Sequence, residues 1–198
     1  EYLQNFGVTS LVTSEENKQH NDENLPLAIG GLTRGITPLQ MAAAYATIAN
    51  DGEYIEPTFY TKVVDSNGNT VLTPNQEKRR VISEQNAYLV KSILQEPVKK
   101  GTATYCAIPG MDVAAKTGTN PAGQIWDSVM TAAHKNLENA TFKRPNGIVE
   151  QTICRTTGGI ATTGCTNTYK EIFTSDNLPG KCEGHGTQTI CSESGKIA

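Results

Sequence analysis

The feature that most constrains the fold is a short apolar run that leads directly into a cation, two hydroxyls and a glycine. Residues 113–115 read Val-Ala-Ala. Because these side chains are small and apolar, they predict a short buried strand that neighbouring segments can approach closely on both faces. The residues that follow this predicted strand are Lys116, Thr117, Gly118 and Thr119.

These four residues predict one wall of an acyl-transfer site. Side chains alternate along a strand, so Lys116 and Gly118 share one face, and Thr117 and Thr119 share the other. Gly118 leaves room for an extended peptide to lie alongside as an added strand. Lys116 offers a point charge to a carboxylate or a neighbouring hydroxyl. Thr117 and Thr119 can bind a substrate carboxylate, and the Thr119 N–H can face a developing oxyanion.

Two other interpretations fit the same residues. One is an ordinary strand-to-turn connection with a solvated lysine. The other is a degraded phosphate-binding loop, because Gly110 precedes Lys116 and Thr117 at nearly the required spacing. That loop needs a second glycine where this chain has Ala115, and Pro121 would interrupt the helix that should follow. The phosphate-loop pattern is therefore a poor match.

Composition excludes two classes of partner. The net charge is −3 over 198 residues, without a long basic run, which argues against nucleic acid. No apolar run approaches the roughly 18 residues of a membrane span. The first residue is Glu1 rather than Met, so we expect the chain to be part of a larger protein, with any membrane anchor outside it.

The five cysteines are unevenly distributed. Cys106 stands alone and is predicted to be a buried, small apolar residue. The other four lie in the polar, turn-rich last quarter, which predicts disulfides in an exported protein. Cys182-x-x-His185 could instead hold a metal ion. We favour the disulfides and predict neither a metal site nor a cofactor. The four clustered cysteines are Cys154, Cys165, Cys182 and Cys191.

Two helices are predicted from their caps. Thr37 and Gln40 form a capping-box pattern around Pro38, ahead of a nearly all-apolar run to Ala49. This run predicts a helix that is buried on most sides. Ser83 caps a second apolar helix, which Pro97 is predicted to end.

The strand signals fall in two places. Residues 54–64 and 70–72 predict two strands that are joined by the turn-forming segment 65–69. Residues 145–154 and 169–173, separated by a glycine-rich turn, predict a small β appendage.

Several of these segments resemble a known family. Residues 32–57, the hairpin at 65–72, Lys-Gly-Thr-Ala at 100–103 and Lys-Thr-Gly at 116–118 occur in family order and with similar spacing. They resemble the transpeptidase domain of class A penicillin-binding proteins, within the superfamily that includes the serine β-lactamases. Ala115 replaces the glycine that often precedes this lysine.

The resemblance implies a fold and a division of the chain. The implied fold class is α/β (α+β), an antiparallel sheet flanked by helices. Residues 1–140 would be the C-terminal part of the transpeptidase domain, and residues 141–198 a small Cys-rich β appendage. The family has two further strands between the Lys-Thr-Gly motif and the next helix, whereas Pro121 follows Thr119 almost directly here. Either the protein lacks this hairpin, or the hairpin residues are omitted between Thr119 and Asn120 in this sequence. We favour the second explanation, because the loss of two strands would expose the core face of the Lys-Thr-Gly strand.

The resemblance also implies an activity, a D,D-transpeptidase that cross-links peptidoglycan stem peptides through a serine acyl-enzyme. Lys116 would move protons, Thr117 and Thr119 would bind the carboxylate of D-Ala-D-Ala, and β-lactams would imitate that donor. The protein would act without a cofactor on the outer face of the bacterial cytoplasmic membrane.

The chain lacks the nucleophile that this chemistry requires. No Ser-x-x-Lys occurs in the sequence, and Ser175-Asp-Asn follows Lys116 although the family places this motif before it. We therefore predict that Ser175 belongs to a loop, and that the nucleophile lies upstream of Glu1 in the remaining half of the domain.

Two alternatives remain open at the level of sequence. A D,D-carboxypeptidase or β-lactamase-like hydrolase would use the same wall with water as the acceptor. A catalytically inactive cell-wall-binding module would explain why the chain lacks a nucleophile.

Overall fold

The computed structural model describes residues 2–115 and 136–184. The chain divides into two compact units, Glu1–Phe142 and Lys143–Ala198. The first unit contains helices and two small antiparallel sheets, and the second contains one antiparallel hairpin. The predicted mixed α/β class with antiparallel pairing is confirmed. Among the described helices, none combines the length and apolar character that a membrane crossing requires.

The α-helices of the described residues all lie in the first unit. A single-turn 3-10 helix, Leu25–Ile29, lies between the first two of them. In chain order the α-helices are α1 (Tyr2–Asn5), α2 (Pro38–Ala49) and α3 (Glu84–Lys100).

The start of α2 is the predicted capping box. The Thr37 hydroxyl accepts a hydrogen bond from the backbone N–H of Gln40 at 3.2 Å. The side chain of Gln40 accepts one from the Thr37 N–H at 3.1 Å. These bonds satisfy two backbone donors that would otherwise lack intrahelical partners. Local sequence therefore fixes where this helix begins.

The prediction that α2 is buried on most sides is wrong for the described part of the chain. Only Ala43 and Thr47 are buried in this helix. Leu39, Met41 and Tyr45 are 43%, 44% and 41% exposed. An apolar sequence shows that a helix can be buried, but burial also requires a neighbouring surface, and none covers these three side chains among the described residues.

Helix α3 begins at its predicted cap but continues past its predicted end. The Ser83 hydroxyl accepts from the Asn86 N–H at 3.1 Å. Pro97 lies inside the helix, which extends to Lys100. Proline removes the donor to the carbonyl of Ile93, whose residue is 68% exposed and accessible to water. Because water can replace the missing hydrogen bond, its loss destabilises the helix only slightly.

The strands form three antiparallel pairs in the described residues. Strands β1 with β4 and β2 with β3 lie in the first unit, and β5 with β6 lies in the second. Their bounds are β1 (Glu53–Ile55), β2 (Val63–Val64), β3 (Thr70–Leu72), β4 (Lys78–Arg80), β5 (Ile148–Cys154) and β6 (Thr168–Thr174).

The first predicted strand, residues 54–64, is divided into β1 and β2. β1 pairs with β4 rather than within the predicted hairpin. Pro57 follows β1 closely and has no N–H to donate to a ladder, which accounts for the break. The turn of the predicted hairpin is correct: the Asp65 carboxylate accepts from the N–H groups of Asn67 at 2.9 Å and Asn69 at 2.8 Å.

A buried carboxylate organises the loop before α2. Asp22 is only 3% exposed. Its two oxygens accept from the backbone N–H of Val12 at 2.7 Å and of Thr33 at 2.6 Å. These bonds lower the pKa of Asp22, the Val12 bond most and the Thr33 bond next.

Candidate active site

The four predicted site residues, Lys116, Thr117, Gly118 and Thr119, lie outside the described residues. The structure does describe the segment that leads into them. Residues 113–115 are half-buried and irregular, which corrects the prediction of a short strand there. A strand requires a ladder partner, and the described residues give this segment a single backbone hydrogen bond to a helix carbonyl instead.

That hydrogen bond fixes the last described residue before Lys116. The N–H of Ala115 donates to the carbonyl of Leu94 in α3 at 3.0 Å. Val113 and Ala115 also pack against a small core of Val98, Ala103 and Cys106. Cys106 is buried, as predicted from its sequence. Helix α3 therefore supports the approach to the Lys-Thr-Gly motif through both packing and a backbone hydrogen bond.

Asp112 holds the other side of this segment. Its N–H donates to the carbonyl of Ala140 at 2.8 Å, and its carboxylate accepts from the N–H of Phe142 at 2.8 Å. Residues 140–142 therefore lie beside the approach to Lys116. Residues 140–142 and helix α3 together restrict the position of the segment that leads to Lys116.

An apolar cavity of about 310 Å³ lies next to this support. Side chains of α2 and α3 line most of it, and Ala114 and Phe142 complete it. The remaining lining residues are Tyr45, Ala46, Ile48, Ala49, Lys91 and Leu94.

Lys91 is the charged residue in the lining of this cavity, and it was not predicted from the sequence. It is 4% exposed. Its Nζ lies 2.5 Å from the Asp51 carboxylate and 5.3 Å from the centroid of the Phe142 ring. A carboxylate and an aromatic face can together stabilise a desolvated ammonium. Lys91 lies one helical turn from the buried Ala87 and Gln95. This spacing could have predicted that Lys91 lies on the buried face of α3.

Ser175, the serine of the misplaced Ser-Asp-Asn triplet, lies in a turn after β6. Its N–H donates to the carbonyl of Gly147 at 2.7 Å, and the Asn177 N–H donates to Thr174 at 3.1 Å. The predicted loop position of Ser175 is confirmed. This triplet belongs to the second unit.

The four described cysteines form no disulfide with one another. Cys191 lies outside the described residues, so the predicted disulfides stay a prediction. Cys154, Cys165 and Cys182 lie close together. The Thr162 N–H lowers the pKa of the Cys165 thiol, but burial and the thiols of Cys182 and Cys154 outweigh it, and the pKa is raised overall.

Comparison with known proteins identifies the family. The family described as the penicillin binding protein transpeptidase domain matches residues 1–137. The family described as the penicillin-binding protein 1A C-terminal domain matches residues 144–187. The chain belongs to the penicillin-binding protein transpeptidase family.

Individual relatives identify the type of penicillin-binding protein that this chain resembles. Penicillin-binding protein 1A of Clostridium acetobutylicum (strain ATCC 824) is 31% identical over 184 residues, covering 75% of this chain and 22% of the relative. Penicillin-binding protein 1F of Bacillus subtilis (strain 168) is 45% identical over 98 residues, covering 50% of this chain and 14% of the relative. The resemblance to class A penicillin-binding proteins is confirmed.

A solved structure shows the same fold. The crystal structure of penicillin-binding protein 1A from Haemophilus influenzae superposes with a TM-score of 0.68 at 22% identity, covering 90% of this chain and 36% of that one. The chain spans between 14% and 28% of the length of three curated relatives that it matches.

Proposed function

We propose that this chain supplies the Lys-Thr-Gly wall of a serine D,D-transpeptidase active site, which cross-links peptidoglycan stem peptides. The family match over residues 1–137 supports this proposal, as do the relatives named penicillin-binding protein 1A. The proposed catalytic residues are Lys116 and Thr119, and the proposed substrate-binding residues are Thr117, Gly118 and Thr119.

The observation that carries the proposal is the set of hydrogen bonds that hold the segment immediately before Lys116. Ala115 is bonded to Leu94, and Asp112 is bonded to residues 140–142. A catalytic wall must hold its donors within a fraction of an ångström of their working positions, so fixed backbone beside the motif is what this chemistry requires.

The reaction assigns a role to each residue. A serine Oγ attacks the carbonyl between the two D-Ala residues of the donor, and its proton passes to a neighbouring base. The C–N bond breaks, the terminal D-Ala leaves as an amine that takes up a proton, and the acyl-enzyme ester remains. Lys116 belongs to the hydrogen-bond network that moves these protons. An acceptor amine then attacks the ester, forms the cross-link and releases the serine.

The threonines bind the donor. The hydroxyls of Thr117 and Thr119 hold its terminal carboxylate, while Gly118 lets the peptide backbone approach. The Thr119 N–H stabilises the tetrahedral oxyanion. Loss of one such donor typically costs about 3–4 kcal/mol of barrier. β-Lactams imitate the donor and acylate the same serine.

The remaining parts of the site come from outside this chain. The serine and its base belong to an upstream half of the same domain, which also packs on the exposed apolar side chains of α2. The protein acts on the outer face of the bacterial cytoplasmic membrane, and its anchor also lies outside these residues.

The test is acylation by fluorescent penicillin in the full-length protein. Lys116→Ala should slow labelling by at least about 100-fold, because a positioned proton-transfer group contributes about 10²–10⁴. Lys18→Ala is the matched control, since it removes a lysine from an exposed loop. Unchanged labelling of the Lys116 variant, with the control also unchanged, would remove Lys116 from the mechanism.

A second measurement separates transfer from hydrolysis. The wild-type protein is given a D-Ala-D-Ala donor with and without an acceptor amine, and both products are quantified. The proposal expects the cross-linked product to dominate when the amine is present. A donor that is only hydrolysed indicates a carboxypeptidase, and a protein that never forms a covalent adduct indicates a non-catalytic module.

A further inference from the structure

Three cysteines from separate parts of the second unit converge on one point. The Sγ atoms of Cys154, Cys165 and Cys182 all lie within 4.8 Å of one another. Cys154 ends β5, Cys165 lies in the connection to β6, and Cys182 follows β6. Cys154 and Cys182 are buried, and Cys165 is half-buried.

Backbone pairing produces this convergence. Ile160 bridges both Ile153 in β5 and Lys181 in the C-terminal segment. Its N–H donates to Gly180 and its carbonyl accepts from Cys182, both at 2.8 Å. The segment that carries Cys182 is therefore aligned beside the end of β5.

Gly159 allows this close alignment. A Cβ at position 159 would lie 2.9 Å from the Gly180 carbonyl oxygen and 3.0 Å from the Cys182 nitrogen. Real Cβ atoms rarely approach backbone this closely, so a side chain here would force the backbone of residues 180–182 to shift. The absence of a side chain at position 159 therefore permits the backbone approach that brings Cys182 near Cys154.

Polar groups already surround two of the sulfur atoms. The Thr157 hydroxyl donates to Cys182 Sγ at 3.1 Å. The Thr162 N–H donates to Cys165 Sγ at 3.4 Å. Donors of this kind stabilise the negative charge of thiolates that bind a metal, and they orient the sulfur lone pairs.

The geometry suits a tetrahedral metal ion. Zinc binds thiolate sulfur at about 2.3 Å, which places two sulfur ligands about 3.8 Å apart in a tetrahedron. Sulfur atoms within 4.8 Å of one another need only small side-chain movements to reach that spacing. A disulfide joins two sulfur atoms at about 2.05 Å, so one bond within this cluster would include only two of the three cysteines.

The second unit is small enough to need a stabilising element such as a bound metal. Its described β structure is one two-stranded sheet. A two-stranded hairpin is marginally stable by itself in water, and small scaffolds are commonly held together by disulfides or a structural metal. A metal on these three cysteines would tie β5, the connection and the C-terminal segment together.

We propose that Cys154, Cys165 and Cys182 supply three of the four ligands of a structural zinc site in the second unit. Zinc is favoured over the harder magnesium and calcium ions because all three ligands are thiols. On binding, each thiol releases its proton to solvent as its sulfur coordinates the metal, with no change of oxidation state. The three cysteines belong to the second unit, whereas Lys116 and Thr119 belong to the first.

The first test measures metal content in the full-length protein. Purified under reducing conditions, the wild type should carry about one equivalent of zinc more than Cys165→Ser, because that variant loses one of the three thiolates that hold the ion. Cobalt substitution should produce the charge-transfer and intense d–d bands of tetrahedral thiolate. Cys106→Ala, which removes a buried thiol outside the cluster, is the control and should retain both signals.

The second test needs no variant. Native protein is alkylated, digested and mapped, before and after treatment with a zinc chelator or a reductant. The proposal expects the three cysteines to be protected until the chelator is added. Release by the reductant alone, with an intact mass lower by two hydrogens per bond, would show disulfides and overturn the zinc site. Immediate alkylation of all three would also overturn it.

Discussion

The carboxylate of Asp112 accepts a 2.8 Å hydrogen bond from the backbone N–H of Phe142. The Asp112 N–H donates in turn to Ala140, also at 2.8 Å. Phe142 contributes to the cavity beside Lys91, and Asp112 lies four positions before Lys116 in the sequence. One aspartate therefore links the approach to the Lys-Thr-Gly motif with the wall of the cavity.

Removal of this link should slow acylation without abolishing it. In Asp112→Ala the Phe142 N–H loses a charged acceptor worth about 1.5–3 kcal/mol. Without this bond the motif should be held less firmly in its working position, which raises the barrier to acylation. Fluorescent penicillin should therefore label the protein about tenfold more slowly.

Asp112→Asn is the matched control, because its amide oxygen can still accept from Phe142. It should retain most of the labelling rate, and hydrogen exchange at Phe142 should be faster in the alanine variant only. Equal rates in the two variants would show that the hydrogen bond does not position the motif.

The pair formed by Lys91 and Asp51 should be energetically coupled. Asp51→Asn leaves a buried ammonium without its counter-charge and should destabilise α3 by about 1–3 kcal/mol. This is less than for a fully buried pair, since the Asp51 side chain is 63% exposed. Hydrogen exchange of the α3 amides in the full-length protein measures the effect.

Lys91→Met keeps the aliphatic packing and removes the charge, which allows a double-mutant cycle. The double variant should be more stable than the sum of the single changes predicts, by about 1 kcal/mol. Additive effects would mean that the two side chains do not stabilise each other.

Asp22 should make stability depend on acid pH. Its folded-state pKa lies below the usual value of 3.8 because of its bonds to the Val12 and Thr33 N–H groups. The carboxylate therefore contributes stability above its unfolded-state pKa. That contribution is lost as pH falls through the folded-state pKa.

Asp22→Asn has a single oxygen for two N–H donors, so in the full-length protein it should lower the urea midpoint at neutral pH and flatten the dependence of that midpoint on acid pH. The matched control is Glu15→Gln, the same loss of charge on an exposed loop. If Glu15→Gln alters the acid slope as much as Asp22→Asn, the effect reflects net charge rather than these two bonds.

The isolated 198-residue chain should unfold without a cooperative transition. Leu39, Met41 and Tyr45 leave apolar surface on α2 exposed in the described residues, and we propose that an upstream half covers them. Calorimetry should show a broad, weak transition for this chain and a sharp one for the full-length protein. A sharp, two-state melt of the isolated chain would contradict the prediction.

Much of the local structure was predictable because its causes are local. Thr37 and Ser83 cap their helices through side chains only three residues from the N–H groups they bind. The Asp65 turn is similarly contained within five residues. Two segments separated by a glycine-rich turn were sufficient to predict β structure in the second unit. Its ladder runs from Ile148 opposite Thr174 to Cys154 opposite Thr168.

The sequence predictions were wrong where the structure depends on residues far away in the chain or on exposure to solvent. Pro97 was predicted to end α3, yet the bond it removes is to Ile93, a residue that is largely exposed, and the helix continues to Lys100. Residues 54–64 were predicted as one strand, but β1 pairs with β4 beyond the hairpin. The apolar composition of α2 carried no information about whether a partner lies against it.

By itself the sequence determined where helices start, where chains turn and which family motif the chain carries, because these depend on residues within a few positions of one another. Only the tertiary structure decided that Lys91 is buried against Asp51, that Asp112 holds Phe142, and that three cysteines meet. These are contacts between residues far apart in the chain. Their formation depends on the free energy of the whole packed arrangement rather than on any local preference.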